Sequence, residues 1–210
     1  MNRIRIDKTR AKFAVTLILL LGVFASACGG GSPNPTTSNP TPTSTTPTGG
    51  IMDFPSGSYA NTRLLAGDNF RISWTNTDDT ISIGIKGKTG GWIAIALSPT
   101  LSKGGADLII GAVTGGQVTL IDSYSPGYSG GHPRDASSGG TDDLYDIRGS
   151  ESGGVTTIEF KRKINTLDSR DVAFQHGSNP FLFAMGPDDT MASEHSLVGA
   201  GEIIIVLTHP

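Results

Sequence analysis

Short runs in which apolar and polar residues alternate, each bounded by Gly, Asp or Ser turns, constrain this chain most strongly. Residues 80–85 and 92–97 show the pattern clearly. A period of two places successive side chains on opposite faces of a β-strand. Helical periodicity is missing from every long stretch of 52–210, so the sequence predicts an all-β folded domain there.

The runs predict eight or more strands joined by turns, which favours an antiparallel two-sheet β-sandwich. The predicted strands are 70–74, 80–85, 92–97, 107–113, 117–122, 155–162, 179–185 and 202–207. Gly115 and Gly116 separate two of these runs and predict a hairpin. The consecutive apolar residues 203–206 predict a last strand that is central and buried on both faces. Segments 123–146 and 186–201 are predicted as long polar loops, where binding residues usually lie.

The first 27 residues have the three parts of an export signal. A basic start is followed by an apolar run over 13–24 and by the small residues Ala25, Ser26 and Ala27, immediately before Cys28. This order predicts cleavage before Cys28. The apolar run is shorter than the roughly 20 residues of a membrane span. A buried helix or a retained anchor is the alternative.

Ala25-Ser26-Ala27-Cys28 resembles the bacterial lipobox. The resemblance implies that lipid is attached to the Cys28 thiol and that Cys28 becomes the new N-terminus. Each buried CH₂ group of such acyl chains contributes about 0.8 kcal/mol, which is enough for stable anchoring. We therefore expect a lipoprotein in the cell membrane or outer membrane, facing the extracytoplasmic side. Cys28 is also the only cysteine, so the domain would contain no disulfide.

Residues 28–51 form a Pro/Thr/Ser-rich linker after the signal. From Gly29 to Gly50 this segment contains no charged, aromatic or large apolar residue. Such a composition cannot bury enough surface to offset the entropy of ordering, so it predicts a disordered spacer. Five prolines favour extended conformations within it.

The formal charge argues against nucleic-acid binding. Five of the 16 Lys and Arg residues and one of the 19 Asp and Glu residues precede Cys28. Cleavage would leave 11 basic and 18 acidic residues, a formal charge of −7. A phosphate-binding surface needs a positive patch, so we predict no nucleic-acid partner.

The order of several motifs resembles the DOMON domain family. The pieces that carry the resemblance are Gly91-Trp92-Ile93-Ala94-Ile95-Ala96, the run Gly105-Ala106-Asp107, Asp122-Ser123-Tyr124, Pro133-Arg134-Asp135, Phe160-Lys161-Arg162 followed by Asp168 and Asp171, and a late His195. The resemblance implies a β-sandwich with a pocket at one end. In this family the pocket takes b-type haem or a sugar-like ligand.

The resemblance also implies candidate axial ligands for haem iron. Cytochrome members of the family use a Met and the late histidine, which corresponds to His195. Lys103 stands where the Met is expected, and the related haem subunit of ethylbenzene dehydrogenase is similar in using a lysine. Met191 is a third candidate. The alternatives are a loop histidine that bonds to backbone and an ordinary solvated lysine.

Trp92, His132 and Asp135 are the candidate ligand-pocket residues. Trp92 could stack on a sugar ring, and His132 with Asp135 could contact a sugar or a metal; the alternatives are a core tryptophan and a solvated acidic loop. We predict no metal other than a possible haem iron. The sequence contains no strand-to-helix Gly-x-Ser-x-Gly elbow, no zinc-protease histidine pair and no free cysteine in the domain. We therefore predict that the protein is not an enzyme.

The sequence therefore predicts a membrane-anchored ligand-binding protein. Our first hypothesis is a haem b module for electron transfer or redox sensing, served by a separate redox partner protein. A module that binds a sugar or another small ligand without haem is the second. A cell-surface interaction lipoprotein is the third.

Overall fold

The computed structural model describes residues 54–55, 57–127 and 131–209. The predicted export signal over 1–27, Cys28 and the linker over 28–51 lie outside the described residues. In the described part, strands are the main regular structure, and the one short helix is a 3₁₀ turn, η1, over Asp135–Ser137.

Ten strands run through the described residues. They are β1 (Asn61–Leu65), β2 (Phe70–Asn76), β3 (Thr80–Gly87), β4 (Ile93–Leu97), β5 (Asp107–Thr114), β6 (Gln117–Tyr124), β7 (Tyr145–Ser152), β8 (Val155–Lys163), β9 (Gly177–Met185) and β10 (Leu197–Ile205).

The strands form two five-stranded sheets, in which neighbouring strands are antiparallel. The first sheet has the order β1-β2-β3-β8-β7, and the second has the order β10-β9-β4-β5-β6. Apolar residues from both sheets make one core between them. The predicted all-β, antiparallel two-sheet sandwich is thus confirmed.

Alternation along the strands explains this core. On β3, Ile81, Ile83 and Ile85 are fully buried, whereas Ser82 between them is only partly buried. Phe160 on β8 pairs with Ile83 and faces the same side. Burying these side chains removes apolar surface from water at about 25 cal/mol per Å², which stabilises the pairing of the sheets.

The predicted hairpin is present between β5 and β6. Its turn residues Gly115 and Gly116 have φ values of 59° and 80°. Positive φ at both central residues is what a tight type I′ turn requires, and glycine adopts it without a steric penalty.

The prediction for the last strand is wrong. β10 begins at Leu197, ends at Ile205 and lies at the edge of the second sheet. Ile203 and Ile205 are fully buried, but Ile204 is 37% exposed. The apolar run therefore alternates in burial like the other strands, with one isoleucine turned outward.

The loop predictions need correction as well. Segment 186–201 contains the first five residues of β10, and segment 123–146 contains η1 and the start of β7. The sequence analysis also missed β1 and β7. Both are edge strands, and exposed polar residues dominate β7, so burial imposes little apolar alternation there.

Among the residues that the structure describes, we find no helix with the length and hydropathy needed to cross a membrane.

Replacing Ile83 with alanine tests the core. Ile83 is fully buried between the sheets, so Ile83→Ala should lower the free energy of unfolding by about 2–5 kcal/mol. Ile147 on the edge strand β7 is 37% exposed, so Ile147→Ala should cost less than about 1 kcal/mol. Urea unfolding followed by tryptophan fluorescence measures both. Equal losses in the two variants would contradict this placement of the core.

Candidate functional site

The second sheet is apolar on the face that turns away from the first sheet. Along β4 the isoleucines point into the core, and Ala94 and Ala96 point outward. Leu108 and Ile110 on β5 continue the outward apolar surface. Small alanines in the middle and larger side chains around them make a shallow apolar floor.

A pocket of about 460 Å³ lies on this floor. β4, β5, β9 and β10 line it with apolar side chains, of which Ala94, Ala184 and Ala200 are the small ones. This volume is in the range typical of small-molecule and cofactor sites.

Nitrogen-bearing side chains from three separate segments reach the same pocket. Lys103 precedes β5, His132 follows β6, and His195 precedes β10. Ser125 also lines the pocket, and the sequence analysis did not single it out. Three of the predicted site residues are therefore brought together, although they are up to 92 positions apart in the chain.

The segment that carries His132 is held against β6. The Tyr124 amide donates a hydrogen bond to the Pro133 carbonyl at 3.3 Å, and Arg134 forms a β-bridge with Ser123. His132 Nδ1 is buried and has no hydrogen-bond partner among the described residues. Burial, and then the positive charge of Lys103, lowers the pKa of His132, so its imidazole is neutral at neutral pH.

Trp92 forms one wall of the pocket and is 5% exposed. Its backbone is paired on both sides: its amide donates to the Asp188 carbonyl at 3.0 Å, and its carbonyl accepts from Gly186 at 2.8 Å. The indole packs so closely on Gly186 that a Cβ there would overlap it. Trp92 is therefore fixed in the wall.

Two predicted site residues lie elsewhere. Met191 packs, partly buried, against the outer apolar face of the second sheet, but it is not among the residues that line the pocket. Asp135 is fully buried in η1, not solvated in an acidic loop. The roles of these two residues, and of the four predicted site residues at the pocket, stay predictions.

A buried polar cluster lies between the sheets beside the pocket. Arg162 on β8 is fully buried and donates to Asp107 Oδ2 at 2.7 Å and to Asp171 Oδ2 at 3.3 Å. The Val172 amide also donates to Asp107 Oδ2. Asp122 Oδ2 accepts from the Asp143 amide at 2.8 Å. One carboxylate oxygen each from Asp107, Asp122 and Asp171 lie within 4.8 Å of one another.

Burial is the main cause of the raised pKa values of these carboxyl groups. It raises the pKa of Asp122 to about 7, and it raises the pKa of Asp107 and Asp171 as well. Burial also raises the pKa of Asp135 to about 7, and the negative charges of Asp171 and Asp107 raise it further. Asp135 therefore belongs to the same electrostatic cluster.

Asp107, Asp122 and Arg162 were recognised in the sequence only as parts of family motifs, and their meeting was not predicted. A signal was present, because Arg162 lies two residues after Phe160 and Asp107 lies two residues before Ile109. Each charge thus stands at an inward position of its strand, where a charged side chain needs a partner.

The DOMON domain model matches residues 66–186 of this chain. The chain belongs to the DOMON family. The match begins after β1 and ends after β9, so it includes the cluster and most of the pocket.

Curated relatives match over the same DOMON region. The chain is 29% identical to MOXD1 homolog 2 of Drosophila melanogaster over 123 residues, which are 58% of this chain and 16% of that protein. It is 24% identical to DBH-like monooxygenase protein 1 of Mus musculus over 136 residues, 64% of this chain and 21% of that protein. The chain thus spans about a fifth or less of the length of these relatives.

Two solved cytochrome domains resemble the DOMON fold of this chain. The cytochrome domain of Myriococcum thermophilum cellobiose dehydrogenase has a TM-score of 0.48 and 16% identity, and the match covers 69% of this chain and 82% of that domain. The cytochrome b domain of pyranose dehydrogenase from Coprinopsis cinerea has a TM-score of 0.46 and 17% identity, with 64% and 75% covered.

Replacing Arg162 with methionine tests the buried cluster. Arg162→Met removes the cation and leaves carboxylates buried, so it should lower the free energy of unfolding by about 3–5 kcal/mol. Arg63 pairs with Glu202 at 2.8 Å, but both side chains are about 40% exposed. Arg63→Met should therefore cost less than about 1 kcal/mol. Chemical unfolding at neutral pH measures both, and a loss as small as that of Arg63→Met would show that the buried ion pairs contribute little.

Proposed function

We propose that this DOMON protein binds b-type haem in the pocket on its second sheet and uses it for electron transfer or redox sensing. The observation that carries the proposal is the meeting of Lys103, His132 and His195 at one apolar pocket. Haem needs an apolar slot for its macrocycle and side chains with lone pairs for its iron. The pocket offers both.

The shape of the lining also supports a flat ligand. Outward alanines on β4, β9 and β10 keep the floor low, and Trp92 and Leu108 stand at its sides. Because few polar atoms line this surface, it can exclude water from a bound macrocycle. Bound haem would supply reversible one-electron transfer, and the protein would provide the apolar lining and the ligands of the iron.

The donor set fits haem iron. His195 and Lys103 are the predicted axial ligands, and the structure adds His132, whose buried Nδ1 has no partner among the described residues. Met191 packs beside the pocket and is the weaker candidate.

The same lining disfavours a sugar as the ligand. Carbohydrate hydroxyl groups need hydrogen-bond partners when they are buried, and an apolar floor offers few. The indole of Trp92 also lies packed against Gly186 and is almost fully buried, which limits its use as a stacking platform. Haem is therefore favoured over the sugar-binding alternative.

The proposal assigns no catalytic step to this chain. The monooxygenase relatives match it over about a fifth or less of their own length, so their activity is not transferred. We further propose that lipid on Cys28 anchors the protein to a membrane on its extracytoplasmic side, as the lipobox resemblance implies. A separate protein would then be the redox partner.

Visible spectroscopy tests haem binding. The full chain, expressed with a haem supply, should show a Soret band that shifts on reduction. His195→Ala should alter that band because it removes a ligand, whereas His209→Ala should not, because His209 is 92% exposed and outside the pocket. Absence of a Soret band would sink the haem proposal. A band unchanged by His195→Ala, Lys103→Ala and His132→Ala would sink the assignment to this pocket.

Filling the pocket gives an independent test. Ala94→Phe places a large side chain on the pocket floor and should abolish haem uptake, with the far-UV circular dichroism of the fold retained. Ala60→Phe enlarges an exposed residue outside the pocket and should leave haem content unchanged. The pyridine haemochrome assay measures haem per protein. Normal haem content in Ala94→Phe would show that haem binds elsewhere.

A further inference from the structure

The buried cluster beside the pocket contains more carboxylate oxygens than its hydrogen bonds satisfy. Asp107 Oδ1, Asp122 Oδ1 and Asp171 Oδ1 are buried and have no donor among the described residues, and the buried Asp135 carboxyl group lies within hydrogen-bond reach of the Asp171 carboxyl group. The Asp107 and Asp135 side chains are fully buried. Buried polar atoms in native proteins are almost always paired, so each of these oxygens points to a group that occupies the cluster.

Arg162 does not balance this cluster. Its guanidinium donates to Asp107 Oδ2, to Asp171 Oδ2 and to the Val172 carbonyl. The unpaired oxygens of Asp107 and Asp171 are the other ones, Oδ1 in each case. Asp107, Asp122, Asp135 and Asp171 with this single arginine give a formal charge of −3 when all are ionised. A buried excess of this size is unfavourable unless protons or a cation neutralise it.

We propose that Asp107, Asp122 and Asp171 bind a calcium ion and that Asp135, beside Asp171, completes the site. One oxygen each from Asp107, Asp122 and Asp171 lie within 4.8 Å of one another, which is the spacing of oxygens that share one ion. Ca²⁺ lies 2.3–2.6 Å from its ligands, so two ligand oxygens can be at most about twice that distance apart. None of these four residues lines the proposed haem pocket.

The donors favour Ca²⁺ over other ions. All the side chains concerned offer carboxylate oxygens, which are hard ligands, and no histidine or cysteine is part of this group. They come from β5, β6, η1 and the segment after β8, so their arrangement is irregular. Ca²⁺ accepts irregular coordination by six to eight oxygens, whereas Mg²⁺ demands near-ideal octahedral geometry.

A bound Ca²⁺ ion would fix the segment that reaches the pocket. Asp135 in η1 follows His132 by three residues, and Asp107 is the residue after Ala106, which lines the pocket. The ion would therefore tie η1 to the ends of β5 and β6. Its loss would leave the segment that carries His132 held by its backbone contacts with β6.

Calcium titration of the full chain tests the site. After treatment with EGTA and without added haem, isothermal titration with Ca²⁺ should show one saturable site, and Ca²⁺ should raise the melting temperature. Mg²⁺ should bind at least about tenfold more weakly. No saturable Ca²⁺ binding, or binding of Mg²⁺ as tight as that of Ca²⁺, would overturn the proposal. The absence of a Soret band in the separate haem experiment would not affect it.

Isosteric variants locate the ion. Asp122→Asn and Asp135→Asn keep the side-chain shape and remove one charge, so each should weaken Ca²⁺ binding at least about tenfold. Without Ca²⁺ each variant should be as stable as the parent or more stable, because the substitution relieves repulsion. A purely structural role predicts the opposite, a loss of stability in the ion-free protein. Asp142→Asn, at an exposed acidic residue nearby, is the matched control. Ca²⁺ affinity that is the same in all three variants would contradict the site.

Discussion

The second sheet is apolar on both of its faces, and the core and the pocket both depend on this property. Its inner face supplies isoleucines and phenylalanines to the core shared with the first sheet. Among the described residues no other sheet covers its outer face, yet that face carries alanines and leucines where an exposed sheet would carry polar residues. A concave apolar surface with a few polar groups around it is the usual form of a small-molecule or cofactor site. The alanines make that surface a concave floor.

The buried cluster around Arg162 is the second feature on which the positions of the pocket residues depend. Charges on β5, β6 and β8 meet between the sheets and hold the segments that follow these strands, including the segment after β8 through the Val172 amide. At the pocket, Lys103 lies just before β5, and Ser125 and His132 follow β6. Buried ion pairs contribute little net free energy of folding, but removing one partner leaves a buried charge unpaired. The pairs therefore hold these segments in fixed positions. The contacts within the cluster therefore help to set the positions of the side chains that line the pocket.

The alternation of apolar and polar residues predicted most of the strands correctly, and it failed for strands at the edge of a sheet. Strands with an inward face, such as β3 and β8, were found because burial imposes a period of two on their side chains. The edge strands β1 and β7 were missed because little of their surface is buried. The apolar run of β10 was assigned to a central strand, but Ile204 faces outward at an edge. The order of strands in a sheet depends on pairings that one strand's sequence does not record.

For the site, the sequence by itself determined which side chains are available. It supplied His195, Lys103 and His132 as nitrogen donors, an inward arginine on β8 and three motif aspartates, and it leaves the domain without a cysteine. Only the tertiary structure decided that the three nitrogens meet at one pocket and that Asp107, Asp122 and Asp171 come together, two of them paired with Arg162. These residues come from separate strand ends and loops, and the antiparallel pairing of the second sheet brings those ends together. Periodicity reports which face of a strand is buried, whereas a site between strand ends is fixed by which strands are neighbours.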